Sequence, residues 1–144
     1  MNILFICGGN TCRSPMAKVI FEHMHSKEIA AGKIKADSAA TYGHSGSEAS
    51  RGAKNAIKTL FGQNLLQGHK SKKCSQDLTA WADVIAVMEG SMKNGMPPTK
   101  SKTLKEYAVE TGDIPDPFGQ SDEVYLQCAK EIKRLIEVAW PPLS

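Results

Sequence analysis

The sequence predicts an α/β fold: a single three-layer domain over residues 1–144, with a central four-stranded parallel sheet flanked by helices. Three observations carry this. Strand-like segments alternate with segments of helical periodicity, the pattern of a parallel, doubly wound sheet. The run Val84-Ile85-Ala86-Val87-Met88 is continuously apolar, as a strand buried on both faces must be. A length of 144 residues provides for one hydrophobic core and no second.

The first strand covers Asn2–Cys7, around the apolar run Ile3-Leu4-Phe5-Ile6. A helix follows over about Ser14–Lys27, with Ala17, Ile20, Phe21 and Met24 on one face. The second strand, Lys33–Ser38, alternates Ile34, Ala36 and Ser38. Next comes a helix near Glu48–Phe61, with Ala53, Ile57, Leu60 and Phe61 inward. Val84–Met88 is the third strand, and a short fourth lies near Lys102–Leu104. Between them, Gly90–Lys102 carries Pro97-Pro98 and several lysines and reads as a solvated loop or short helix at most. The last helix, about Asp122–Val138, spaces Tyr125, Cys128, Ala129, Ile132, Leu135 and Ile136 along one buried face.

The chemistry concentrates in Cys7-Gly8-Gly9-Asn10-Thr11-Cys12-Arg13-Ser14. These residues join the first strand to the first helix through a tight loop. Backbone N–H groups of such a loop converge at a helix N-terminus, where an anion binds. Cys7 is the candidate nucleophile, because a helix N-terminus and a neighbouring cation favour its thiolate. Arg13 offers a planar fork that fits two phosphate oxygens. Gly8 and Gly9 allow the backbone to curl, including through positive φ. Ser14 suits the helix N-cap and can also donate a hydrogen bond to the Cys7 sulfur. Pro15 would then take the first helical position. In a parallel sheet Cys7 lies at the carboxyl end of a strand, where ligands bind. A metal site is not expected: Cys7 and Cys12 are not spaced C-x2-C, and no second pair with zinc spacing follows.

In these residues and in Pro15 the chain resembles the low-molecular-weight protein tyrosine phosphatase family, in its bacterial form that includes protein arginine phosphatases. A second motif of that family is Asp-Pro followed by a tyrosine, here Asp116-Pro117-Phe118 and then Tyr125. Weaker echoes are Ser38-Ala39-Ala40-Thr41, Gly68-His69-Lys70-Ser71 and Ala82–Met88, so the likeness spans nearly the whole chain. The resemblance implies a cysteinyl-phosphate mechanism with Asp116 as general acid and then base. Taken alone, Asp116 also fits a plain turn, and Asp113 is a competitor for its role. The resemblance further implies that Asn10 holds the loop in a strained shape, with Ser38 and His69 completing its network. Two positions depart from the family pattern. Gly8 stands where a larger residue lines the pocket mouth, and Ala40 where glycine is usual. Gly8 is expected to widen the pocket or loosen the loop.

Thr11 points to substrate. Tyrosine-specific members commonly carry an aliphatic β-branched residue there, and members resembling arginine phosphatases carry threonine. Phosphoarginine is therefore the favoured substrate and phosphotyrosine the rival, with a pocket that accepts both as a third reading. A thioredoxin-linked arsenate reductase would need further paired redox cysteines near mid-chain, whereas Cys74 and Cys128 are far apart. A non-catalytic phosphoprotein-binding module would lack nucleophile or acid, and both are present. Cys12, at the other end of the curled loop, is expected to form a disulfide with an oxidised Cys7.

A net charge of +3 suits an anionic substrate without suggesting nucleic acid, since no basic run or aromatic-basic stripe is present. No apolar run approaches membrane-spanning length, and the N-terminus reads as a strand and not as a signal peptide. A working thiolate requires a reducing compartment, so the expected location is the cytoplasm. The expected partners are a phosphorylated protein and an oxyanion in the loop, with no cofactor.

Overall fold

β1, Asn2–Cys7, lies inside the sheet, and its composition explains why. Ile3, Leu4, Phe5 and Ile6 are all fully buried. Strand alternation sends Ile3, Phe5 and Cys7 into one apolar layer and Leu4 and Ile6 into the other. The computed structural model describes residues 1–43 and 45–142. Within them β1, β2 (Lys35–Ala40), β3 (Val84–Val87) and β4 (Ser101–Thr103) form a sheet of order β2-β1-β3-β4. Every pairing is parallel.

The thicker layer packs α1 (Arg13–Met24), α3 (Arg51–Phe61) and α6 (Asp122–Ala139) over Ile3 and Phe5. Its centre holds Ala17, Ile20, Phe21, Ala53, Ile57, Ala129, Ile132 and Ile136. Each Ile or Phe buried there contributes about 1.5–3 kcal/mol. The thinner layer packs Leu78 and Trp81 of α4 (Gln76–Trp81) against Leu4, Ile6, Ile85 and Val87. The chain leaves β1 toward β2 on one side and returns to β3 on the other. The sheet's switch point therefore falls at the carboxyl end of β1, beside Cys7.

Element ends differ from expectation in instructive ways. The first helix stops at Met24 instead of Lys27, and α2 (Ser26–Ala30) follows. The break is at His25, whose ring stacks 4.5 Å from Phe21 and whose Nε2 lies 3.0 Å from the Trp140 carbonyl. β2 runs two residues later than predicted, because Ala39 and Ala40 pair with Ile6 and Cys7. α3 begins at Arg51 and not near Glu48, since Glu48 forms an antiparallel bridge with Lys70. It ends where predicted, at a left-handed Gly62 with φ 70°. β3 stops at Val87, one residue before Met88. β4 starts one residue early, at Ser101, and Leu104 belongs to α5 (Leu104–Tyr107), opened by a Thr103–Glu106 capping box. The preceding loop contains only a 3₁₀ turn, Gly90–Lys93. α4 and α5, of six and four residues, are too short to show a period in sequence. Among the described residues no helix is long and apolar enough to cross a membrane.

Candidate active site

Residues 8–12 connect β1 to α1, and neighbours on both sides bond the carbonyls of Cys7, Gly8, Thr11 and Cys12. Thr41 N–H donates to Cys7 O at 3.0 Å and Tyr42 N–H to Gly8 O at 3.0 Å. Ser50 N–H donates to Thr11 O at 2.9 Å and Met16 N–H to Cys12 O at 3.2 Å. Among the described residues, no backbone N–H of residues 8–12 donates to a protein carbonyl. The loop thus turns acceptors outward and keeps its donors for an anion.

Asn10 fixes this shape. It is fully buried and left-handed, with φ 57°. Neither Gly8 nor Gly9 takes a positive φ, so the curl rests on Asn10 and not, as expected, on the glycines. Lys72 N–H donates to Asn10 Oδ1 at 3.0 Å, which settles the amide's orientation. Nδ2 then donates to Ser14 Oγ at 2.8 Å and Ser38 Oγ at 2.9 Å. His69 Nε2 lies 2.8 Å from Asn10 O. Burial lowers the His69 pKa, and the hydrogen bond to Asn10 only partly opposes it. Ser14 Oγ lies 2.9 Å from Cys7 Sγ.

Ser14 does not cap the helix. α1 begins one residue earlier, at Arg13, and Cys12 holds the N-cap position without a side-chain bond. Pro15 accordingly stands third, still in the first turn where no N–H partner is lost.

Arg13 is 2 % exposed, yet its guanidinium reaches the pocket. Nη1 donates to Glu89 Oε2 at 2.8 Å and to Ile114 O at 2.7 Å. Nη2 stands 3.7 Å from Asp116 Oδ2. Among the described residues, buried Nε has no hydrogen-bond partner. One edge of the fork is therefore anchored, while Nε holds an unspent donor that a bound oxyanion would satisfy. Burial alone would lower the Arg13 pKa, but the Glu89 hydrogen bond and the charges of Cys7, Asp116 and Glu89 raise it overall. Glu89 was not anticipated. Its signal was an acidic residue just past the carboxyl end of a buried strand.

Cys7, Gly9, Thr11, Cys12, Arg13, Tyr42, Asp116 and Phe118 line a pocket of about 190 Å³. Asp116 Oδ1 accepts the Phe118 N–H at 3.1 Å. Asp113 instead accepts Gly90 N–H at 2.8 Å and does not line the pocket. The side chains of Asn10 and Ser14 are fully buried, and neither they nor Gly8 line the pocket. Gly8 does not widen the pocket. The ring of Tyr42, also unanticipated, fills the space a side chain there would take.

Cys12 Sγ lies 3.3 Å from Ser50 Oγ and 3.4 Å from Tyr125 Oη. The Tyr125 ring presses on Gly52, where an added Cβ would come within 2.1 Å of it. Burial chiefly pushes the Tyr125 phenol up to about 12. Cys128 is half-buried rather than buried in the helix face, near the Pro115 carbonyl, and burial pushes its thiol up to about 12. Cys74 is half-buried too, and burial raises its thiol pKa. Cys74 and Cys128 line separate hollows.

The family model described as low molecular weight phosphotyrosine protein phosphatase matches residues 2–139. A protein-arginine-phosphatase of Geobacillus stearothermophilus is 37% identical over 142 residues, covering 94% of this chain and 90% of that one. The low molecular weight protein tyrosine phosphatase from T. tengcongensis superposes with a TM-score of 0.87 at 35% identity, covering 99% of both chains. The YwlE arginine phosphatase, solved as a C7S mutant with a phosphorylated active-site serine, superposes at 0.86 with 31% identity, covering 96% of this chain and 92% of that one.

Proposed function

The chain belongs to the low molecular weight phosphotyrosine protein phosphatase family, and from that premise we propose that it hydrolyses phosphoarginine in proteins through a phosphoryl group carried on Cys7. The observation that carries the reading is that Cys7 and buried Arg13, whose Nε is unspent, line one pocket. A phosphoryl group seated on the loop places two oxygens on that guanidinium and the third among the loop N–H groups.

In the first step Cys7 Sγ attacks phosphorus and the bond to the substrate's nitrogen breaks. Asp116, at the pocket wall, gives its proton to that nitrogen. In the second step Asp116 takes a proton from a water that attacks the same phosphorus. The S–P bond breaks, phosphate leaves, and Cys7 returns as thiolate with the Ser14 proton facing it.

Thr11 supports phosphoarginine over phosphotyrosine. Its side chain lines the pocket, and among the described residues its hydroxyl has only a weak neighbour, Cys12 Sγ at 3.7 Å. That leaves a polar group for the guanidinium nitrogens, which a phenol oxygen uses less fully. The relatives include enzymes named for each substrate. Cys7 as a thiolate nucleophile fits a reducing, cytoplasmic setting, with phosphorylated protein as the partner. The test is turnover of matched phosphoarginine and phosphotyrosine peptides by one preparation. Higher kcat/KM on phosphoarginine supports the reading. A preference for phosphotyrosine overturns it.

A further inference from the structure

The segment Pro115-Asp116-Pro117 stands between two hollows. On one side Asp116 walls the catalytic pocket of about 190 Å³. On the other, Asp116 and its two proline neighbours face Val124, Cys128 and Glu131 of α6 across a hollow of about 300 Å³. No step of the proposed chemistry uses this second hollow.

Its walls suit an apolar group. Val124 and Cys128 stand one helical turn apart on α6, Val124 37% exposed and Cys128 half-buried. Cys128 Sγ lies 4.0 Å from the Pro115 carbonyl, so helix and loop meet at the floor. Glu131 brings a carboxylate, but Arg134 binds it through Nε, at 3.3 Å, and through Nη2, and also holds Glu110 at 2.7 and 3.0 Å. The Gln120 amide is turned to the loop, where Nε2 donates to Asp116 O at 3.3 Å.

We propose that this hollow binds an apolar side chain of the substrate protein, from a residue within about four positions of the phosphorylated one, a reach of roughly 13 Å of extended chain. The inference rests on the phosphatase reading but not on which phosphorylated side chain is preferred. A phosphorylated side chain seated over Cys7 leaves its own backbone at the pocket mouth, and Asp116 is a wall common to the mouth and to the hollow. The apolar surface beyond Asp116 is thus continuous with the place where the substrate chain must pass. Pro115 and Pro117 fix φ on both sides of Asp116, so a side chain seated there packs on stiff backbone and loses little by ordering it.

The experiment measures kcat/KM on peptides carrying leucine or serine at each place within about four positions of the phosphorylated residue. The phosphorylated side chain is the one the wild type turns over faster, and p-nitrophenyl phosphate is the substrate with no flanking chain. Leucine at one place is expected to raise kcat/KM about tenfold over serine. Val124→Gln makes the wall polar without adding charge, and Cys128→Phe fills the floor. Each should abolish the leucine preference, while turnover of p-nitrophenyl phosphate stays near the wild-type rate. A wild type indifferent to leucine at every place overturns the proposal, as does a preference that survives Val124→Gln. The same indifference with a dimer that Val124→Gln dissolves, read by analytical ultracentrifugation, assigns the hollow to a second copy of this chain and overturns it too. Failure to turn over p-nitrophenyl phosphate and every peptide defeats the phosphatase reading and this inference with it. Turnover without leucine preference defeats this inference alone. Thermal melts show whether Cys128→Phe stays folded, and the exposed Val124 position carries the test if it does not.

Discussion

Ser14 Oγ stands 2.9 Å from Cys7 Sγ, and toward a thiolate, which has no proton to give, the hydroxyl is the donor. Asn10 Nδ2 has only protons to give, so Ser14 Oγ accepts there, at 2.8 Å. Its single proton is left to face the sulfur.

Ser14→Ala removes that proton. The expected result is slower breakdown of the phosphorylated enzyme, by about 10- to 100-fold, the worth of one hydrogen bond to a charged group. Stopped-flow assays should then show a burst of the first product followed by slow turnover. Ser14→Thr, which keeps the hydroxyl, should restore much of the rate. A loss confined to the burst phase would place the role of Ser14 in the first step.

Asp116→Asn should slow substrates with poor leaving groups far more than activated aryl phosphates, which depart without a proton. Asp113→Asn should cost little activity, since its carboxylate supports Gly90 N–H and is outside the pocket. Comparing kcat/KM for both variants across leaving groups decides between them. A silent Asp116→Asn with an impaired Asp113→Asn would reverse the assignment.

Thr11→Ile keeps the β-branch and deletes the hydroxyl. The ratio of phosphoarginine to phosphotyrosine kcat/KM should fall by about 1–3 kcal/mol of discrimination, typical of one lost polar contact. An unchanged ratio would mean that Thr11 only packs.

Peroxide is expected to oxidise the Cys7 thiolate to a sulfenic acid, which the Cys12 thiol is then expected to attack, forming a disulfide and releasing water. Wild-type inactivation should therefore reverse with dithiothreitol. Cys12→Ser should remain active yet recover poorly after the same dose. Full recovery of Cys12→Ser would assign the rescue to another thiol. Cys74 and Cys128 are poor substitutes, since burial raises both thiols.

The parallel sheet was legible because Ile3–Ile6 and Val84–Val87 are apolar without interruption, and only a strand covered on both faces tolerates that. The periodic helices were legible for the same reason, through Ile20, Ile57 and Ile132. The cysteine–arginine loop could be read because its residues are contiguous. Glu89 and Tyr42 could not. They reach the loop from the segments after β3 and after β2, and their proximity is a product of strand order. The capping role given to Ser14 failed because its hydroxyl has a stronger use between Asn10 and Cys7. Gly8 read as added space, since a sequence does not say which neighbour fills a gap.

The central claim is that the phosphoryl group passes through Cys7. Acid quench of the wild-type enzyme within a single turnover on a phosphopeptide, followed by peptide mass spectrometry, tests it most directly. One phosphoryl group is expected on the peptide containing Cys7, with turnover falling by orders of magnitude in Cys7→Ser while vanadate still binds. A phosphoryl group found on another residue, or near-normal turnover of Cys7→Ser, would contradict the account.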